Sequence, residues 1–190
     1  MSSPSSAPFQ PLTASCACSS LSYTLLTPPL ITHCCHCRSC QRETGSAFVI
    51  NALLPSTSVI PTPSSLAPLL VNTPSASGKG QIVARCPKCY VAVWSNYAGG
   101  GEAIRFVRVG TIAGAHGTVP DVHIYVGSKV EWVVVPEGVE RYEEFYNVDE
   151  VWGKERSLER WEVLEGIRKG REVAAAVAGE EKKDGGGGRA

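Results

Sequence analysis

The stretch His33-Cys34-Cys35-His36-Cys37-Arg38-Ser39-Cys40 decides how this sequence is read, and it runs on into Gln41-Arg42-Glu43-Thr44-Gly45-Ser46-Ala47-Phe48. Four of the chain's eight cysteines fall within it. Thiolates are the side chains that best hold soft and borderline divalent metals. Cys35, Cys37 and Cys40 form a C-x-C-x-x-C core, a spacing that lets a short piece of backbone turn around one ion with its sulfurs inward. Three close thiolates make an incomplete tetrahedron. Structural zinc takes four protein ligands, whereas catalytic zinc takes three and keeps a position open. Spacing alone leaves both readings of this cluster standing.

Working outward, two further cysteine pairs appear. Cys16-Ala17-Cys18 sits among small residues, and Cys86-Pro87-Lys88-Cys89 lies between the β-prone runs Gln81–Arg85 and Tyr90–Trp94. Strand, tight C-x-x-C turn, strand is the outline of a zinc ribbon. Two pairs make four ligands, so Cys16, Cys18, Cys86 and Cys89 could close one all-cysteine site. Such a site would clamp an early segment to a distant one, with metal-binding energy appearing as folding energy. Cys34 is left over. An extended backbone throws its side chain away from that of Cys35, and it reads as a small buried hydrophobe. In the alternative division, Cys34 or His36 joins the second site and makes it four-coordinate and purely structural. His33 and His36 read as strand neighbours or as donors behind the ligands. His116 and His123 read as ordinary polar residues, Trp94 and Trp132 as core, and Gly45 as the residue of a tight turn.

The rest of the chain supports a mainly β reading. Leu21–Thr27, Leu30–Thr32, Ala47–Leu54, Ala103–Gly110, Val122–Val126 and Val130–Val135 are β-prone or alternate in the manner of strands. Residues 55–80 are rich in Pro and Ser and suggest an irregular excursion with one strand at Leu69–Val71. Gly99-Gly100-Gly101 suggests a loop. Leu158, Trp161, Leu164 and Ile167 recur at helical spacing. The expected organisation is a disordered N-terminus over 1–13, a zinc-binding β domain over 14–148, an amphipathic C-terminal helix over 149–178 and a disordered tail over 179–190.

Composition sets the outer bounds. The 190 residues are 43% hydrophobic, enough for one core, and 18 basic residues balance 18 acidic ones. That balance gives no electrostatic case for nucleic acid or an anionic membrane. No apolar run approaches the roughly 20 residues that span a bilayer. The Ser/Pro-rich start has neither the basic and apolar regions of a secretory signal nor the arginines of a mitochondrial one. The expected compartment is the cytoplasm, with the nucleus as the other option, where paired cysteines bind metal or do chemistry rather than form disulfides.

The three cysteine groups in this order resemble the family of glutathione-dependent formaldehyde-activating enzymes, which includes the centromere protein V-like proteins. The matching residues are Cys16-Ala17-Cys18, then Cys35-His36-Cys37-Arg38-Ser39-Cys40 with Thr44-Gly45-Ser46, then Cys86-Pro87-Lys88-Cys89. Val109-Gly110-Thr111, His123-Ile124-Tyr125-Val126 and Trp132 resemble the family's closing strands, so the likeness spans roughly residues 14–146. It implies a small, tent-like β fold with two zinc ions. Cys16, Cys18, Cys86 and Cys89 would hold a structural zinc. Cys35, Cys37 and Cys40 would hold a second zinc at the catalytic position. The implied partner is a small-molecule thiol such as glutathione, and the implied activity is that of a carbon–sulfur lyase joining it to formaldehyde as S-hydroxymethylglutathione. The rival reading is a non-catalytic, zinc-stabilised binding module like the centromere-associated relatives. Three thiolates leave zinc with a formal charge of −1, which Arg38, Arg42 or His36 would offset. The sequence departs from the family pattern at Tyr90, which follows Cys89 where the family has glycine, and at Ser15 and Ser19 beside the first pair.

Overall fold

The computed structural model describes residues 8–75, 77–97, 101–152, 165, 166 and 169. The chain divides into two compact units, Met1–Tyr146 and Asn147–Ala190.

In the first unit, β1 (Leu12–Ser15), β2 (Ser22–Leu25) and β5 (Val59–Pro61) form a three-stranded antiparallel sheet in the order β1-β2-β5. A second sheet has eight strands: β3 (Ile31–Cys35), β4 (Val49–Pro55), β6 (Leu69–Thr73), β7 (Gln81–Arg85), β8 (Ala92–Tyr97), β9 (Ile104–Arg108), β10 (Val122–Ile124) and β11 (Glu140–Tyr142). Their order is β11-β10-β3-β4-β9-β8-β7-β6. All neighbours are antiparallel except β10, which runs parallel to both β3 and β11. The mainly β expectation is met.

The core is made from strand faces. Tyr23 and Leu25 of the small sheet meet Ala52, Leu54, Ala84, Val93, Trp94 and Val107 of the large one. Tyr23 sets its ring edge against Trp94 at 5.2 Å, and its hydroxyl pairs with Thr111 Oγ1 at 2.6 Å. Arg105 lies over the Trp94 indole, 4.5 Å from its centroid. All five residues of β3 are buried, as suits a strand covered on both faces. At the far edge, β6 exposes Leu69 and Leu70.

One short helix, α1 (Arg38–Thr44), interrupts the strands between β3 and β4. Its sequence has no apolar periodicity, and its ends define it. Cys37 is the N-cap, its sulfur accepting the Cys40 N–H at 3.4 Å. Gly45 closes the other end at φ +64°, its N–H bonded to the Gln41 carbonyl. This is the turn expected of Gly45. An ion pair from Glu43 to Arg85 ties the helix to the end of β7.

Three expectations need correction. The segment read as disordered through residue 13 is already in β1 at Leu12, where pairing with Leu25 recruits it. Val130–Val135 is not a strand. The Val133 N–H turns back to the Val130 carbonyl, and the Lys129 ammonium takes the carbonyls of Val130 and Val133. Trp132, expected in the core, is 76% exposed on that turn.

In the second unit, α2 spans Val148–Trp152, and Lys169 pairs with Glu165 at 3.3 Å. The helix expected over 149–178 otherwise falls outside the described residues. So do the tail, most of the Gly99–Gly101 loop and residues 1–7. No helix among the described residues is long and apolar enough to cross a membrane.

Truncating Leu54, which is fully buried, to alanine is expected to cost about 2–5 kcal/mol in urea unfolding. The same change at exposed Leu70 should stay within about 0.5 kcal/mol. Equal losses at the two positions would contradict this placement of the core.

Candidate metal centre

Alternation in β3 and just beyond it sorts the central stretch into two sides. Cys35 ends the strand, the His36 N–H continues the pairing to the Ile124 carbonyl at 3.0 Å, and Cys37 is still extended at φ −65°, ψ 150°. Residues two apart therefore share a side. Cys35, Cys37 and Cys40 gather in one group, while Cys34 and His36 gather with His123 in another.

The first cysteine site comes from two similar knuckles. In each, the leading cysteine's N–H bonds a carbonyl five residues on: Cys16 to Leu21 at 2.9 Å, and Cys86 to Val91 at 3.0 Å. Backbone N–H groups also point at the sulfurs, from Leu21 to Cys16 Sγ at 3.3 Å and from Lys88 to Cys86 Sγ at 3.4 Å. Ser19 and Tyr90 complete the turns in the left-handed region, at φ +57° and +59°. These are two of the positions where the sequence departs from the family's glycines, and the backbone shows why glycine suits them. The four sulfurs of Cys16, Cys18, Cys86 and Cys89 lie within 4.8 Å of one another. Cys18 Sγ stands 3.6 Å from Cys16 Sγ and 3.7 Å from Cys86 Sγ. Two sulfurs on a tetrahedral zinc stand about 3.8 Å apart, given Zn–S of about 2.3 Å. Both separations match that spacing, so this donor set suits zinc, and all eight cysteines are free.

The second group, Cys35, Cys37 and Cys40, is buried, with its sulfurs also within 4.8 Å of one another. Hydrogen bonds from Cys35 and Cys40 pull Cys37 down to about 3. Cys35 is driven far up by its bonds to the other two thiols and by burial. Cys40 is drawn down by Cys35, but Cys37 and burial push it up to about 11. A divalent cation supplies what three ionised sulfurs need, so this donor set also suits zinc.

Sequence reasoning missed the groups around this cluster. Tyr97 Oη is 3.9 Å from Cys40 Sγ, with its ring against Phe106 at 4.6 Å. Burial, then the charge of Cys40, pushes the Tyr97 phenol up. The Tyr125 phenol is also pushed up by burial and by Cys35 and Cys37, and Tyr125 itself adopts φ +58°. The positive charge acting on Cys40 comes from Arg108, which is buried and held by Asn51 and by Ser95 Oγ at 2.8 Å. The sequence offered Arg38, Arg42 or His36 for this offset, and Arg108 is a further, buried cation beside the cluster. Arg38 is exposed and bonds Gln41 Oε1 at 2.8 Å, while His36 belongs to the other group. The alternation in β9 was the only signal for Arg108.

The histidines separate. His33 Nε2 pairs with Tyr146 Oη at 2.6 Å and lies outside all three groups. His123, read as an ordinary polar residue, is buried with its Nδ1 2.9 Å from His36 Nε2. Cys34 does point away from Cys35 and is buried, but it is no simple hydrophobe, since its sulfur lies 3.5 Å from His36 Nε2. The side chain of His116 is outside the described set.

Arg38, Gln41, Arg42, Ser46, Val130 and Trp132 line an open cleft of about 740 Å³ along the outer side of α1.

Replacing Ser19 or Tyr90 with glycine is expected to leave metal content unchanged and to raise stability by up to about 1 kcal/mol, as left-handed strain is relieved. Thermal unfolding with metal analysis checks this. A clear loss of stability would show that the native side chains outweigh the strain.

Among solved structures, the chain is similar to a Rhodobacter sphaeroides protein determined as a structural-genomics target, at 15% identity, covering 54% of this chain and 88% of that one with a TM-score of 0.40. No protein of curated function matches. The sequence model of the family described as glutathione-dependent formaldehyde-activating enzyme matches residues 11–128, a span that holds all three cysteine groups and His123. This chain belongs to that family.

Proposed function

We propose that this protein is a zinc-dependent carbon–sulfur lyase-type enzyme that forms and cleaves thiol–aldehyde adducts, with glutathione and formaldehyde as the pair. The observation that carries the reading is the composition of the second cluster: three sulfurs, with Cys34 and His36, the fourth donors the sequence offered, gathered on the other side of the strand with His123. A three-ligand set with a position to spare is the arrangement of catalytic rather than structural zinc. Cys16, Cys18, Cys86 and Cys89 would hold the structural ion.

When bound at Cys35, Cys37 and Cys40, zinc would supply a lowered thiol pKa and Lewis acidity. The bond change is an addition: the thiol sulfur bonds the aldehyde carbon, the carbonyl π pair moves to oxygen, and the thiol proton ends on that oxygen. The chain's own groups frame this step. Arg108 moderates the charge of the thiolate cluster from inside the sheet, and the Tyr97 phenol brings a hydroxyl to 3.9 Å from Cys40 Sγ. Burial on both faces of β3 keeps water from competing. Along α1, Arg38 and Arg42 offer planar guanidinium groups suited to the two carboxylates of glutathione, and Trp132 offers an apolar wall. Free cysteines throughout suit the reducing cytoplasm or nucleus, where metal–thiolate sites persist. The rival reading, a non-catalytic binding module, draws on one feature: Trp132 and Val134, two positions apart, are both strongly exposed.

The test is zinc stoichiometry with adduct formation measured on the same samples. Wild type is expected to carry two zinc ions. Cys37→Ser should keep its far-ultraviolet spectrum, lose one zinc and lose all measurable turnover. Two zinc ions with no turnover on any thiol–aldehyde pair would sink the enzyme reading in favour of the module.

Substitution of both Arg38 and Arg42 by alanine should raise KM for glutathione about tenfold or more, through loss of charge-assisted hydrogen bonds, with kcat little changed. An unchanged KM would remove the cleft from the binding site.

A further inference from the structure

The third group of potential ligands is independent of both cysteine sites. Cys34 and His123 are directly paired across β3 and β10, so their side chains leave the sheet on the same face. His36 follows Cys34 by two residues and joins them. Cys34 Sγ, His36 Nε2 and His123 Nδ1 lie within 4.8 Å of one another, and all three residues are buried. The imidazoles are held in place before any ion arrives. They stack at 5.2 Å with an 18° tilt, and Phe48 packs edgewise on His36 at 5.7 Å. The backbone of His36 is fixed as well, its carbonyl accepting from Gln41 Nε2 at 2.7 Å and Ser128 Oγ at 3.0 Å.

We propose that Cys34, His36 and His123 form a third metal site, which takes a single copper(I) ion. One thiolate and two imidazoles are a soft, trigonal donor set of the kind copper occupies. Charge favours the monovalent ion. Copper(I) with one thiolate is neutral, whereas zinc(II) with one thiolate leaves a buried positive charge. The donor count agrees as well, since the trio supplies the three ligands of a trigonal copper site. The 3.5 Å sulfur–nitrogen separation fits, given metal–ligand bonds of about 2.0–2.3 Å. The imidazole nitrogens, 2.9 Å apart, must open by about half an ångström, exchanging a mutual hydrogen bond for bonds to the ion.

The experiment loads the full-length, zinc-replete chain anaerobically from a copper(I)–chelator buffer, then measures copper and zinc after desalting, with X-ray absorption at the copper edge. Wild type should retain one copper more than Cys34→Ala or His123→Gln, keep its zinc, and show one sulfur and two nitrogen neighbours. Cys34→Ser, closer in size, serves if the alanine variant fails to fold. Equal copper in wild type and variants, or copper gained only as zinc is released, would overturn the proposal. Either result would mean that the trio is a hydrogen-bonded plug. Zinc content and adduct turnover of the copper-free protein report separately on the enzyme reading.

Discussion

The two-residue period of an extended chain governs this molecule. Through Cys34, Cys35, His36 and Cys37 it sends consecutive metal-binding side chains to opposite sides of one buried strand. A helical segment here would have mixed the thiols and imidazoles on neighbouring faces. Extension keeps them in two chemically different sets: sulfur only, and sulfur with nitrogen. The sheet enforces that extension from both edges, with β4 antiparallel on one side of β3 and β10 parallel on the other. The helix begins only when the separation is complete, and its first capping group is itself a ligand candidate, Cys37.

Electrostatics then explains the surroundings of the sulfur-only set. Three buried sulfurs cannot all ionise beside one another, and the opposed shifts of Cys35 and Cys37 express that conflict. The fold answers with a buried guanidinium, Arg108, which is itself tolerated because Asn51 and Ser95 accept its hydrogen bonds. The chain around the cluster therefore moderates a charge that a metal ion would neutralise only in part.

Much of this was legible in the residues. The Gln81–Arg85 strand runs as read, and the knuckle it enters brings Cys86 and Cys89 to Cys16 and Cys18, since turn spacing and β-branched flanks are local signals. Less local features escaped. Seven residues with no apolar rhythm, Arg38–Thr44, gave no sign of a helix whose caps and whose ion pair to Arg85 define it. His123 looked unremarkable because its partners are 87 and 89 positions away, joined by the parallel pairing of β10 with β3. The run Val130–Val135 had the composition of a strand but pairs with no strand among the described residues, and Lys129 takes the carbonyls of Val130 and Val133. Trp132 was misplaced with it.

The clasp between the two knuckles also bears on how the chain reaches its folded state. Cys18 and Cys86 meet across 68 residues of sequence, and closing a loop of that size costs about 4 kcal/mol of chain entropy before the contact contributes anything. β3 cannot gain β10 as a neighbour until an excursion of similar length has been laid down. Contacts of such separation place the protein among slow-folding topologies, in which local hairpins such as β6–β7–β8 form well ahead of the pairing that unites the ends. An ion caught early by one knuckle would shorten the search for the other, so metal supply bears on the rate of folding as well as on its final stability.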